Sequence, residues 1–205
     1  MMDLSLGAMV AFAVAGAVSP GPVNVLATQH GARVGVWRAQ AFVVGASLSY
    51  MAVVALAGLG LQQVWDRWPG LARGLPWAGA AYLLYLAWCL WTAPVAEGAY
   101  TQRAPATPAQ AWRGFVQGWA VQALNPKAWL VAMSAVGVFV APSDLPQRQL
   151  ALLCGVSLLA CQLGVGSWAV LGQALARWLA PARRQRQFHA GMAVALVLTV
   201  WGMVQ

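Results

Sequence analysis

From Leu4 to Ala32 the chain runs without a single Asp, Glu, Lys or Arg. It does so again over Ala39–Trp65, Gly74–Ala96, Gly114–Pro126, Ala128–Ser143, Gln149–Ala176 and Gln187–Gln205. A helix rises 1.5 Å per residue, so about 20 apolar residues cross a bilayer. Five of these stretches are long enough to cross alone. The two shorter ones become long enough only when joined across Lys127. That gives about six spans. The rest of the composition agrees: of 205 residues, 61% are hydrophobic and 8% charged, where a soluble domain carries about 25% charged residues. Too few charges remain to face water, so lipid is the solvent, and the expected class is an all-α polytopic membrane protein.

The formal charge of +8 does not indicate a nucleic-acid partner, because the basic residues lie between apolar runs instead of forming one basic face. Arg33, Arg38, Arg103, Arg113, Arg177, Arg183, Arg184 and Arg186 fall in the odd-numbered loops, against Arg67, Arg73 and Arg148 in the even ones. By the positive-inside rule the odd loops face the cytoplasm and both termini face the other side. The first apolar run is not a secretory signal, because it is preceded by Asp3 and lacks a basic start. Trp37, Trp65, Trp68, Trp77, Trp112 and Trp178 fall near expected span ends, where aromatic residues collect at the headgroups.

A loop over about 94–112, rich in Pro, Ala, Thr and Gln, divides one transmembrane domain (1–205) into repeats of about 1–93 and 113–205. Three spans in each half make the second half enter from the opposite side, as in an inverted repeat. Pro22 and Pro126 occupy corresponding places. Around them lie Ser19-Pro20-Gly21-Pro22-Val23-Asn24 and Leu124-Asn125-Pro126-Lys127. Proline removes a backbone donor and breaks a helix, and lipid supplies no water to satisfy the freed carbonyls. Such breaks are either simple kinks or discontinuous helices that present backbone to a substrate.

Lys127 adds a cation to the second break, flanked on both sides by uncharged sequence, and a lysine at bilayer depth is expensive unless it has a task. Asp3, Asp66, Glu97 and Asp144 all lie at span ends or in loops, so no carboxylate pairs with it at mid-membrane. His30 reads as an interfacial histidine. Gly114 and Gly118, and the run Ala78-Gly79-Ala80-Ala81, read as small residues that let helices approach. Cys89, Cys154 and Cys161 sit in apolar runs, form no CxxC motif and read as packing residues, with no metal or cofactor implied. Neither a nucleophile with a base nor a ligand cluster supports an enzyme.

Together these residues resemble the lysine-exporter and homoserine/threonine-exporter superfamily of amino-acid efflux proteins. Its marks are the Ser19–Asn24 segment, Gly31 with Gly35, Gly58-Leu59-Gly60, Trp77-Ala78-Gly79-Ala80-Ala81-Tyr82-Leu83 and Leu124–Lys127, in that order along nearly the whole chain. The resemblance implies proton-driven export of amino acids or derivatives across a bacterial inner membrane. Many members carry a Gly-Asp pair where this chain has Ser49-Tyr50, and an aromatic residue there is closer to the cysteine/O-acetylserine exporters. The expected substrate site is Ser19, Pro20, Gly21, Pro22, Asn24, Tyr50, Asn125, Pro126 and Lys127. Lys127 would take a substrate carboxylate, while freed carbonyls and the Asn and Tyr side chains would take its ammonium. The expected partners are an amino-acid substrate and the bilayer, with homo-oligomerisation left open. The alternative is an accessory membrane subunit, which would need neither Lys127 nor paired breaks.

Overall fold

A computed structural model describes residues 2–60, 69–95 and 107–204. They form α-helices throughout: α1 (Met2–Val18), α2 (Pro22–Val34), α3 (Val36–Gly58), α4 (Pro69–Trp91), α5 (Pro108–Ala123), α6 (Pro126–Phe139), α7 (Pro146–Leu175) and α8 (Ala182–Val204). Proline punctuates the chain. α2, α4, α5, α6 and α7 each begin on one, at the position where a missing N–H costs nothing and the fixed φ suits the helix. Thr107 completes the start of α5: its hydroxyl accepts from Gln110 N, and the Gln110 side chain accepts from Thr107 N, a capping box that satisfies two exposed donors. Gly35, at φ 83°, separates α2 from α3, a left-handed conformation that side-chain-bearing residues avoid.

Of the two readings of the proline segments, the structure has discontinuous helices: α1 and α2 are interrupted at residues 19–21, and α5 and α6 at 124–125. The first pair bends by 63° at its break. α5 begins at Pro108, inside the segment 94–112 expected as a loop. The expected loop falls largely on residues 96–106, and Trp65, Trp68, Asp66, Arg67 and Glu97 also lie outside the described residues. α3 and α7 are each long and apolar enough to cross a membrane, and the bent pair of α1 and α2 makes a third candidate span. The chain is a multi-pass, all-helical membrane protein.

α3 and α7 pack against each other at the centre. α5 and α6 lie against α3, α1 and α2 lie against α7, and α4 pairs with α8. Phe42, Val43, Ala46, Tyr50, Leu153, Cys161 and Val165 belong to one continuous core. Leu130, Leu159, Leu163, Trp88 and Trp201 point outward and are exposed, an outer surface suited to hydrocarbon and not to water. Lipid tails are as apolar as leucine, so the hydrophobic effect gives little reason for helices to associate. Close van der Waals contact has to supply it. Glycine allows that contact in reciprocal pairs. A Cβ on Gly45 would collide with the Phe115 carbonyl across α3 and α5, and one on Gly118 with the Phe42 carbonyl. Across α2 and α7, Gly31 faces the Ala169 carbonyl and Gly172 the Thr28 carbonyl. Of the expected GxxxG pair only Gly118 is tightly wedged; Gly114 meets nothing closer than 3.8 Å.

Gly118→Val therefore forces α5 off α3. It should cost about 1–3 kcal/mol of stability, read as a lower thermal midpoint in detergent. Gly155→Val, at a site with no atom within 4 Å, should leave the midpoint in place. Equal midpoints for the two variants would contradict the proposed packing.

Candidate functional site

The two helix breaks meet. Lys127 is the second residue of α6, and its Nζ donates across to the first break: to Ser19 O at 3.0 Å, Ser19 Oγ at 2.7 Å and Pro20 O at 3.2 Å. An ammonium group has three N–H donors, and here each finds an acceptor. Lys127 thus does not reach for a membrane surface. It crosses from one break to the other, and the partners that hold it are neutral oxygens. The Ser19 hydroxyl gives its own proton to Gly16 O, 3.0 Å away, which leaves a lone pair for the lysine.

The carbonyls freed by the prolines are taken up by other side chains. Asn24 Nδ2 donates to Ala17 O and Ser19 O, both at 2.9 Å. Trp168 of α7 donates from Nε1 to Val18 O at 3.0 Å. At the second break Trp129 donates from Nε1 to Ala123 O at 2.7 Å. Val18 and Ala123 are the last residues of α1 and α5, so the two breaks are closed in the same way, by an indole on the final carbonyl. Asn125 caps α6 by accepting from Lys127 N at 3.1 Å, and its amide lies 3.4 Å from Gln122 Oε1. At the start of α2, by contrast, Gly21 offers no side-chain cap, and that helix terminus carries partial positive charge.

Ser19, Gly21, Asn24, Tyr50, Asn125 and Lys127 line one cavity. Pro20 takes part through its carbonyl. Pro22 and Pro126 do not line the cavity; they start the two helices that frame it. The cavity holds about 40 Å³, room for about three waters and less than a free amino acid needs. Sequence reading missed Gln122, Trp129 and Trp168, and it assigned Cys161 to packing alone, although Cys161 also lines the cavity. Trp129 carried a local signal, sitting one turn beyond the break. Trp168 had none, because α7 brings it from far along the chain. His30, near the end of α2, stacks on Phe42 with ring centroids 4.6 Å apart and bonds Gln117 at 2.9 Å, between helices.

Residues 14–204 match the family model described as LysE type translocator. The chain belongs to the LysE-type translocator family. It is 33% identical to the cysteine/O-acetylserine efflux protein of Shigella flexneri serotype 5b (strain 8401), with 96% of each chain covered. The same identity and coverage relate it to the cysteine/O-acetylserine efflux protein of Escherichia coli (strain K12). No solved structure matches it. The resemblance read from the motifs is thereby shown over nearly the full length, and this LysE-type translocator is a transporter, not an enzyme.

The two indoles of this LysE-type translocator give a direct test of how its breaks are held. Trp129→Phe and Trp168→Phe each leave a carbonyl without its donor, at about 1–3 kcal/mol. Each should lower the unfolding midpoint in detergent while keeping helix content. Midpoints equal to the native one would mean that the indoles do not carry the breaks.

Proposed function

We propose that this protein exports small neutral amino acids or their derivatives, of the cysteine/O-acetylserine or homoserine/threonine type, from the cytoplasm across a bacterial inner membrane, driven by the proton-motive force. Amino-acid efflux itself follows from the family and from relatives that share nearly the whole chain. The substrate class rests on Lys127. It is a cation beside the cavity, held by neutral oxygens, next to the uncapped start of α2. A substrate carboxylate is the natural complement to that charge. A second substrate cation would meet this positive environment unpaired, at a cost of several kcal/mol. Lysine and arginine are therefore disfavoured.

The transport architecture we infer is six crossings in two inverted repeats, about 1–93 and 113–205, with α1/α2 and α5/α6 as the broken spans. The pairing of helices supports it. Exchanging the halves turns α3 against α5 into α7 against α1, α2 against α7 into α6 against α3, and α2 against α3 into α6 against α7. All of these pairs are in contact. The pairs α3 with α7 and α4 with α8 map onto themselves, as a pseudo-two-fold axis requires. Both termini then lie outside the cytoplasm. A cysteine introduced beside Gln205 should be labelled by an impermeant reagent in intact spheroplasts. Labelling only after permeabilisation would reverse the orientation.

Efflux from loaded vesicles tests the function. With an imposed pH gradient, cysteine, O-acetylserine, homoserine or threonine should leave faster than lysine or arginine. Lys127→Ala should lower efflux on the order of 100-fold, matching the loss of about 3 kcal/mol of charge-assisted binding, in protein that still inserts. Lys127→Arg should recover little, because a planar guanidinium does not fit three converging acceptors. Rapid lysine efflux, or native rates in Lys127→Ala, would refute this reading.

A further inference from the structure

Lys127 places an ammonium group where a substrate ammonium would need to sit. The Ser19 and Pro20 carbonyls and the Ser19 hydroxyl converge on it, and the geometry suits any R–NH₃⁺ group. Beside them is an acceptor with nothing to accept. Asn24 is 4% exposed and lines the cavity, and its Oδ1 has no hydrogen-bond partner. The amide is not simply turned the wrong way round. Its nitrogen donates to Ala17 O and Ser19 O, and a flipped amide would set oxygen against both carbonyls. The oxygen is thereby left without a donor in a residue that lines the cavity beside the break. A buried acceptor left unsatisfied in a polar cluster needs a reason, and an arriving donor supplies one.

We propose that Ser19 O, Ser19 Oγ, Pro20 O and Asn24 Oδ1 form the receptor for the substrate α-ammonium, and that Lys127 occupies it as a tethered stand-in until substrate arrives. This rests on the reading of the protein as an amino-acid exporter. The substrate carboxylate draws Lys127 Nζ off the break and pairs with it. The α-ammonium, with three N–H donors, takes Ser19 Oγ and Pro20 O from Lys127 and gives its third proton to Asn24 Oδ1, while Ser19 O keeps its bond from Asn24 Nδ2. The receptor holds one ammonium before and after, and the displaced lysine ends in an ion pair. An amine alone would leave two cations without an anion. A carboxylate alone would leave the freed carbonyls of the break unpaired, which lipid does not tolerate. The exchange therefore selects zwitterions. Since Lys127 is also the link between α6 and the first break, its release untethers the two breaks and allows the cavity to widen beyond about 40 Å³. Recognition and opening become one event.

Calorimetry on purified protein in detergent, under reducing conditions, tests the exchange with three probes: L-cysteine, cysteamine (no carboxylate) and 3-mercaptopropionate (no ammonium). Native protein should bind L-cysteine about 100-fold tighter than either fragment. Lys127→Met empties the receptor, so cysteamine should bind that variant at least about tenfold tighter than native protein does. Adding Asn24→Leu should remove the gain. 3-Mercaptopropionate binding native protein as tightly as L-cysteine would overturn the proposal. So would cysteamine binding Lys127→Met no better than native protein. If Lys127→Met does not fold, the comparison of the three probes on native protein decides alone. Failure of native protein to bind L-cysteine, L-serine and L-threonine would instead sink the exporter reading, while the gain or absence of cysteamine binding in Lys127→Met would still judge the receptor.

Discussion

A proline in a membrane helix creates a debt of hydrogen bonds that lipid cannot meet, and much of this molecule is arranged around meeting it. At the first break the acceptors are Gly16, Ala17, Val18, Ser19 and Pro20. Their donors come from four places: Ser19 itself, Asn24 in α2, Trp168 in α7 and Lys127 in α6. α2, α6 and α7 must therefore converge on the end of α1. Polar side chains that line the cavity, Ser19, Asn24 and Lys127, are thus among the ones that make the broken helix tolerable.

Convergence of that kind requires helices that approach closely. Reciprocal glycines let α2 and α7, and α3 and α5, bring backbone against backbone. The contacts are made by rigid surfaces that interdigitate, and such surfaces resist gradual deformation. At residues 19–21 and 124–125 the helical hydrogen-bond ladder is interrupted between the helices they separate. The small cavity lies at that place. Its walls come from α1, α2, α3, α5, α6 and α7, so a change in the angle between the half-helices changes its volume directly.

The electrostatics point the same way. Lys127 lies among dipoles, with carbonyl and hydroxyl oxygens turned toward it. Dipoles solvate a cation without neutralising it, so the surroundings of the cavity remain positive. A carboxylate partner would have quenched that field and left nothing to attract an anionic group. The capping of the two later helices is also unequal: Asn125 satisfies the start of α6, whereas Gly21 leaves the start of α2 open. The positive end of α2 and the lysine therefore act on the same space.

The sequence by itself determined the solvent and the class. Charge-free stretches of span length admit only helices in a bilayer, because each backbone group must be satisfied within its own segment. It also placed both breaks, since proline acts locally through its own ring and missing N–H. Lys127, Asn24, Asn125 and Ser19 were legible as site candidates because polar groups are rare in such runs and stand out; Gly21 lay within the proline break, and Tyr50 came only from the resemblance to the exporter superfamily. Tertiary structure alone decided what those groups bond to. Lys127 looked free of partners because its acceptors, two backbone carbonyls and the Ser19 hydroxyl, lie far along the chain, and carbonyls carry no mark in a sequence. Trp168 carried no signal in the sequence, and Cys161 looked like any small core residue. Only the packing of α7 against α1 and α3 brings the one to the Val18 carbonyl and the other to the cavity wall.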